Sequence, residues 1–240
     1  MKHFRPRLSR RAFWVLCALL VCLRLALTGF QQAYIWVGGA PLDDELMFRA
    51  ANHITAGQWL GAYDYLTLSK AMFFPVWLAL LHALHLPYLI SGAALWCGAA
   101  LLATFSFSTL WRKKDPAQGR VLTLGLFAAL AFLPSSWAAY TLRVYRDNIF
   151  PALCLYFFAG MAGMALRAVF TPEKPLWPWL AAAGAGLACG YLDREDAGLF
   201  LLPFAAAATV IVAVVLAGRR RWKALAAQVI PYVMLGVGVL

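Results

Sequence analysis

The chain has 240 residues and a formal net charge of +11; 63% of its residues are hydrophobic and only 13% are charged. This composition excludes an ordinary soluble domain and is typical of a polytopic membrane protein. The positive charge does not indicate a nucleic-acid partner, because the basic residues stand in short clusters between apolar runs, where the positive-inside rule expects them. We therefore predict an all-α, polytopic bundle of membrane helices.

Seven apolar runs are long enough, or nearly long enough, to cross a bilayer as helices. In chain order they are Ala12–Phe30, Tyr88–Trp111, Val121–Trp137, Ala152–Phe170, Leu176–Leu192, Ala197–Ala217 and Ala224–Leu240. An eighth run, Ala71–Leu86, contains Pro75 and fits either a short span or a helix in the membrane interface. Because the last run continues to the final residue, we expect residues 1–240 to be one membrane module, truncated at its C-terminus.

The distribution of Lys and Arg decides how the eighth run is placed. If this run lies in the interface, fifteen of the 21 basic residues fall on the side of the N-terminus and five fall on the opposite side. If it spans, the split becomes eight against twelve, which breaks the positive-inside rule. We therefore predict about seven spans, a cytoplasmic N-terminus in a bacterial inner or plasma membrane, and a long first outer loop over residues 31–87.

The first outer loop is predicted to carry two interfacial helices. One covers Asp43–Gly57, where an Asp can cap the first turn and Gly57 is a stop signal. Its apolar stripe consists of Leu46, Ala50 and Ile54. The eighth run forms the second helix, so that the loop lies along the membrane surface.

This topology places eight of the ten acidic residues on the outer side. Three polar segments then share one membrane surface: the acidic segment (Asp43–Glu45), the arginine segment (Tyr140–Asn148) and the charged turn (Tyr191–Asp196). Charged groups at a membrane boundary are costly unless they pair or line a wet cavity. The convergence of the three segments therefore predicts a functional site at the outer face.

Each segment also has a simpler interpretation. Three adjacent carboxylates suit a general base or a metal ligand, and helix capping explains only one of them. In the arginine segment, Arg143 and Asp147 have the spacing of a pair one helical turn apart. That pair would leave Arg146 for an anion such as phosphate, although a polar loop with a local ion pair explains the segment equally well.

Two further features also have two interpretations each. The charged turn, with four charged residues between apolar runs, fits either a wet cavity or a hairpin among lipid headgroups. Arg24 lies in the outer half of the first run. It fits either a contact with a lipid phosphate or a side chain that snorkels to the interface.

Several of these motifs occur together in one known superfamily. Pro-Leu-Asp-Asp-Glu at 41–45, followed by an amphipathic helix and Gly57-Gln-Trp59, resembles the first external loop of the GT-C membrane glycosyltransferases. These enzymes use polyprenyl-phosphate sugars and include the aminoarabinose transferases and protein O-mannosyltransferases. The later order is also similar: a Lys-containing turn and short helix (Lys70–Leu86), then Asp147 before Pro151, then a charged turn.

The resemblance implies transfer of a hexose or pentose from a polyprenyl-phosphate donor, among membrane lipids, to an acceptor that it does not identify. Asp44, with Asp43 or Glu45, would deprotonate that acceptor. Asp147 would match an acid that binds a divalent cation, Mg²⁺ or Mn²⁺, in some branches of the family. The residues predicted to bind the donor and its phosphate are Arg143, Arg146, Arg194, Glu195, Lys70 and Arg24.

Two other classes of function compete with a transferase. A transporter or flippase should carry ionisable groups near mid-membrane and interrupted helices in two related halves, and the sequence shows neither. A non-catalytic membrane subunit that holds a partner remains an alternative. The sequence has neither a P-loop nor a dinucleotide-binding glycine motif, which agrees with a lipid-linked donor.

Overall fold

A computed structural model describes residues 7–36, 41–59, 61–67, 69–111, 115–171, 174–227 and 233–234. Within these ranges the regular secondary structure is helical, apart from a single bridge between Tyr34 and Arg143. The α-helices are Arg10–Thr28 (α1), Pro41–Thr55 (α2), Phe73–Ala83 (α3), Tyr88–Phe107 (α4), Pro116–Ala131 (α5), Phe150–Phe170 (α6), Trp177–Asp193 (α7), Gly198–Gly218 (α8) and Trp222–Ala227 (α9). The predicted all-α class is confirmed for these residues.

Four helices in the described ranges are long and apolar enough to cross a membrane. They are α1, Tyr88–Leu110 (α4 and the turn that continues it), α6 and Leu201–Gly218 within α8. Helices α5 and α7 have only 16 and 17 residues. Most of the last predicted run, Ala224–Leu240, lies outside the described residues. The structure thus supports a membrane protein with transmembrane helices, whereas seven spans are not confirmed.

The eighth apolar run forms the short helix α3. At 1.5 Å per residue its 11 residues extend roughly 16 Å, about half the thickness of the hydrocarbon core. It packs against α2, and its Phe74 is fully buried with Met47 of α2 and Ile149 just before α6. The length agrees with the prediction that this run does not span.

Helix α2 forms where the sequence predicts it, with shifted bounds. It begins at Pro41, two residues earlier than expected, so Asp43 and Asp44 lie inside its first turn instead of capping it. A proline at the first position is favourable because its missing N–H has no helical partner there. The helix ends at Thr55, and Gly57 adopts the left-handed conformation (φ 73°) expected of a stop signal.

The buried face of α2 differs from the predicted apolar stripe. The buried residues are Asp44, Met47 and Ala51, whereas Leu46 and Ala50 are half-buried. A carboxylate therefore begins the inward face of this helix. The sequence pattern missed this face because an acidic residue was counted as exposed.

The remaining helices pack in two groups. Helices α1, α4 and α5 meet around Phe13 and Phe127, and helices α6, α7 and α8 meet around Phe157 and Leu201. Contacts between α4 and α6 join the groups. Van der Waals contacts between these large side chains stabilise the packed helices, because burial of apolar surface gives no gain over contact with lipid.

The two ends of the bundle are chemically different. At one end Leu8 N–H donates to Ala117 O (3.3 Å), Arg120 Nε donates to Leu8 O (2.7 Å), and Arg219 Nη1 donates to Ala168 O (3.2 Å). These contacts gather basic segments that the positive-inside count groups on one side. The opposite end, here called the polar end, gathers the acidic segment, the arginine segment and the charged turn.

Helices α6 and α7 approach closely because glycines face both backbones. A Cβ on Gly186 would lie 2.4 Å from Phe157 N, and one on Gly160 would lie 2.5 Å from Ala183 N. Neither backbone atom can move aside without shifting a helix. Small residues of this kind allow transmembrane helices to pack at short range.

We predict that Gly186→Ala destabilises the protein by about 1–3 kcal/mol, the usual effect of overpacking a tight core. Gly125→Ala in α5 is the matched control, because a Cβ there meets nothing within 4 Å. The control is expected to be neutral or to stabilise by up to about 1 kcal/mol. Unfolding of both variants in a denaturing-detergent titration checks this prediction, and equal effects would contradict it.

Candidate active site

The centre of the polar end is an ion pair between Asp44 and Arg143. Arg143 Nε donates to Asp44 Oδ2 (2.9 Å) and Nη2 donates to Oδ1, so the contact is bidentate. Trp36 N–H also donates to Oδ2 (2.9 Å). The Asp44 side chain is fully buried and that of Arg143 is 20% exposed. The hydrogen bond with Asp44 raises the pKa of the Arg143 guanidinium.

Backbone contacts hold Arg143 in place. Val144 N–H donates to Tyr34 O (2.8 Å), and Tyr34 N–H donates to Leu142 O (3.1 Å). From the other side, the Tyr88 hydroxyl at the start of α4 donates to Arg143 O (2.8 Å). The segment after α1 and the start of α4 therefore fix the direction of this arginine.

The predicted pair between Arg143 and Asp147 is wrong. The backbone at Arg143 is extended (φ −66°, ψ 139°), so the two residues do not follow one another on a helix. Asp147 instead pairs with Arg194 of the charged turn, whose Nη1 lies 3.1 Å from Asp147 Oδ1. The helical spacing of the two residues gave the wrong pair, because the segment does not form one continuous helix. It folds as two short turns with a break between them.

Arg194 bridges two acids. Besides Asp147, its Nη2 and Nε donate to the two carboxylate oxygens of Asp196 (2.9 and 3.0 Å). The hydrogen bond from Arg194 lowers the pKa of the Asp196 carboxyl. The Arg194 side chain is 29% exposed, which leaves part of it accessible from outside.

Arg146 is not free for an anion in the way the sequence suggested. It is buried, its Nη1 donates to Asp193 O (3.1 Å) and its Nη2 donates to Tyr145 Oη (3.2 Å). The guanidinium also faces the Tyr145 ring, with Cζ 5.3 Å from the centroid. Arg146 therefore ties the arginine segment to the end of α7.

Asp43 is partly exposed, whereas Asp44 is buried and Glu45 lies on the exposed face of α2. Lys70 Nζ lies 3.2 Å from Asp43 Oδ2, and both side chains are 31% exposed. The Tyr145 hydroxyl donates to the same oxygen over 3.3 Å. Unlike Asp44, the Asp43 side chain is partly exposed and lies next to a lysine and a tyrosine.

Two other predicted acids do not join this arrangement. Glu45 points to the exposed face of α2 and pairs with Arg49 one turn later (2.9 Å). The Glu195 side chain lies outside the described part of the chain. Of the three adjacent carboxylates, the structure brings Asp43 and Asp44 towards the arginines.

Arg24 neither snorkels nor reaches the acidic segment. It is 3% exposed, its Nη2 donates to Ser136 O (2.7 Å), and its Cζ lies 3.4 Å above the Trp137 ring. A stacked guanidinium gains cation–π energy, which offsets part of the cost of burial. The side chain therefore faces the protein interior beside α4.

The described residues do not fit a metal site at Asp147. This carboxylate faces the Arg194 guanidinium, a cation that would repel Mg²⁺ or Mn²⁺. In the described ranges, no three His, Cys, Asp or Glu side chains come together as a ligand set.

A cleft of about 170 Å³ lies between α2, α3 and the segment that joins them. Its wall includes Lys70, which pairs with Asp43, together with Arg49, His53 and Asp64. Met47 and Pro75 supply apolar surface. Such a mixture of apolar wall and convergent polar groups is characteristic of small-molecule sites.

The sequence reasoning missed the aromatic residues of the site. The Tyr88 hydroxyl donates to the arginine segment, and the Tyr145 hydroxyl donates to the acidic segment. The Arg24 guanidinium stacks on the Trp137 ring. Tyr145 lies between Arg143 and Arg146 in the sequence, and this position could have indicated that it belongs to the site. The position of Tyr88 after Pro87 gave no indication that it belongs to the site.

Comparison of the chain with protein-family models, with curated proteins and with solved structures finds no match.

Proposed function

We propose that the chain is a membrane glycosyltransferase that moves a hexosyl or pentosyl group from a polyprenyl-phosphate donor to an acceptor at the outer membrane face. The supporting observation is the meeting of the acidic segment with two arginine-bearing segments at one end of the bundle. Asp44 and Arg143 are 99 positions apart, and Asp147 and Arg194 are 47 apart. Glycosyl transfer needs a base for the acceptor and positive charge beside the departing phosphate.

Asp43 is assigned as the general base. Its partial exposure and its pairing with Lys70, which lines the cleft, allow an acceptor hydroxyl or amine to reach it, whereas the Asp44 carboxylate is closed off by Arg143 and Trp36. Asp44 is assigned as the group that positions the arginine segment.

The proposed reaction is a displacement at the anomeric carbon of the sugar. The acceptor oxygen or nitrogen forms a bond to that carbon while the bond from the carbon to the phosphate oxygen breaks. The acceptor proton passes to Asp43, and the electron pair leaves with polyprenyl phosphate. Arg194, partly exposed at the end of α7, supports the negative charge on that leaving group.

We infer that α5 and α7 also cross the membrane. Their 16 and 17 residues extend roughly 24–26 Å, and local thinning of the bilayer accommodates this length. The six helices α1, α4, α5, α6, α7 and α8 would then place the basic end in the cytoplasm and the polar end outside. Lipid-linked sugars would approach the site from the outer leaflet.

Donor turnover tests the proposal. The purified chain, reconstituted in liposomes, is incubated with radiolabelled polyprenyl phosphates that carry mannose, glucose, arabinose or aminoarabinose. Release of polyprenyl phosphate from at least one donor is the expected result, since water replaces the natural acceptor slowly. If none of the four donors is cleaved or transferred, the transferase assignment is overturned.

One observation favours the second candidate, a non-catalytic membrane subunit. The charged groups of the polar end largely neutralise one another, as in the pairs Asp44–Arg143, Asp147–Arg194 and Asp43–Lys70. A network of this kind also serves to lock the outer loop onto the bundle. This candidate predicts that substitution of the charged residues changes stability alone. Variants of Asp43 and Arg143 therefore distinguish it from a transferase.

A further inference from the structure

A second cleft opens at the basic end of the bundle, between the start of α1, the end of α4 and the start of α5. Its volume is about 320 Å³, which is in the range of small-molecule sites. The α1 side chains in its wall are spaced by three and four residues, so they share one face of that helix. The wall consists of Arg10, Phe13 and Trp14 of α1, Phe105 of α4, and Arg120 and Thr123 of α5.

Three aromatic rings form the apolar wall of this cleft. The ring centroids of Trp14 and Phe105 lie 5.6 Å apart, and that of Phe13 lies 5.3 Å from Trp14 and 6.2 Å from Phe105. Phe13 is buried, whereas Trp14 is 49% exposed. Beyond Trp14, helix α1 exposes further apolar side chains, including Leu19 and Leu23. The cleft therefore continues into a surface that suits acyl chains, as expected of a helix long enough to span a bilayer.

The two arginines of the cleft can still bind an anion. Arg120 Nε donates to Leu8 O (2.7 Å), which fixes the direction of the guanidinium. Its Nη1 and Nη2 atoms have no hydrogen-bond partner among the described residues, yet, unlike Arg24 Nε and Nη1, neither is closed off from solvent. The Arg10 side chain is exposed and has no ion pair in the same part of the chain. The Nη edge of Arg120 can therefore donate two parallel hydrogen bonds to an oxyanion.

Acidic residues are scarce at this end of the protein. In the sequence, the side of the N-terminus holds fifteen Lys and Arg but only two acids, Asp115 and Glu173. Asp115 accepts a hydrogen bond from Ala117 N–H (2.9 Å) and pairs with Arg7 (3.5 Å). Its charge also acts on Arg120, but from beyond ion-pair distance. The excess positive charge therefore needs anions from outside the chain, and at a membrane surface anionic lipid headgroups supply them.

We propose that this cleft binds an anionic phospholipid, with its phosphate group at Arg10 and Arg120 and an acyl chain along Trp14 and Phe105. Basic clefts between membrane helices are known to hold such headgroups. A lipid fits better than free phosphate because the cleft combines two cations with an aromatic wall, and free phosphate has no group for that wall. The bound lipid would connect α1 to α4 and α5. This proposal does not depend on sugar transfer.

Native mass spectrometry of the full, delipidated chain in dodecyl maltoside tests the proposal. The probes are phosphatidylglycerol, phosphatidylcholine with the same acyl chains, and inorganic phosphate. The wild type is expected to bind phosphatidylglycerol about fivefold or more tightly than the zwitterionic phosphatidylcholine. Equal affinity for the two lipids would overturn the proposal. Binding of inorganic phosphate as tight as that of phosphatidylglycerol would overturn the assignment to a lipid.

Variants then locate the bound lipid. Arg10→Gln is expected to weaken binding of phosphatidylglycerol by about fivefold, the contribution of one basic residue beside an anionic membrane surface. This variant should fold as the wild type does, because the Arg10 side chain is exposed. Arg11→Gln is the matched control. It removes the adjacent exposed arginine of the same helix, which does not line the cleft, and it should keep wild-type affinity.

Equal losses in Arg10→Gln and Arg11→Gln would show that the net charge of the basic end attracts the lipid and would overturn the proposal. Wild-type affinity of Arg10→Gln would overturn it as well. Arg120→Gln should weaken binding by about tenfold, because it removes the bidentate contact. If Arg120→Gln does not fold, Arg10→Gln and its control still decide the question. Asp43→Asn should bind phosphatidylglycerol as the wild type does, so failure of the transferase proposal and failure of this one are distinguishable.

Discussion

Asp43→Asn is expected to reduce donor turnover by about 10²–10⁴-fold, the contribution of a positioned general base. The amide keeps the size of the side chain and one acceptor oxygen for Tyr145, but it cannot take a proton from the acceptor. The unfolding temperature should change little, because the lost ion pair with Lys70 is partly exposed. Turnover of lipid-linked sugar and thermal unfolding are measured on the same preparations.

Glu45→Gln is the matched control for this variant. It removes a neighbouring carboxylate of the same segment, and Glu45 pairs only with Arg49 on the exposed face. The control should retain wild-type turnover. Near wild-type activity of Asp43→Asn would contradict the assignment of the base, and equal losses in both variants would mean that the net charge of the segment matters instead.

Arg143→Ala is expected to have the largest effect on stability. It leaves the fully buried Asp44 carboxylate with Trp36 N–H and no cation. Removal of one partner from a buried pair costs about 3–5 kcal/mol, and the lower end applies here because Arg143 is 20% exposed. Unfolding in a denaturing-detergent titration measures the loss, with Arg49→Ala as the exposed control.

A double-mutant cycle separates the pair from its surroundings. In the double variant Arg143→Gln with Asp44→Asn, neither side chain of the pair carries a charge. Much of the stability lost in Arg143→Gln alone should therefore return. Strictly additive losses would show that the two side chains do not stabilise one another, which would contradict the central ion pair of the polar end.

The helices could be predicted from the sequence because their apolar runs end at local signals. The run predicted over Leu176–Leu192 forms α7 at Trp177–Asp193, and the run Ala197–Ala217 forms α8 at Gly198–Gly218. Helix α5 is the exception, since it ends at Ala131 and not at Trp137. Pro134 explains the difference, because it lacks an N–H and disfavours helical backbone at the residue before it.

The partners of the charged residues could be predicted only as a group. The distribution of Lys and Arg predicted that the three polar segments share one side. In the structure the arginine segment contacts both the acidic segment and the charged turn. Which arginine meets which acid depends on the short turns of the arginine segment, where Arg143 is extended and faces Asp44. No local pattern records a contact between residues 99 positions apart.

The inward direction of Arg24 also escaped the sequence analysis. A basic residue near a helix end is ordinarily expected to reach outward to water. Here Trp137, from a turn more than a hundred residues later, offers a ring at 3.4 Å and Ser136 offers a carbonyl oxygen. Tertiary packing therefore overrides the tendency of the isolated helix.

The most direct test of the account is the side of the membrane on which the polar end lies. In a cysteine-free background, Tyr65→Cys marks the loop beside Lys70 and Lys223→Cys marks the basic end; both positions are exposed. Intact cells are treated with a membrane-impermeant maleimide. The account predicts that Tyr65→Cys is labelled and that Lys223→Cys is labelled only after lysis. The reverse pattern would place Asp43 and the arginines in the cytoplasm and would contradict a transferase site at the outer face.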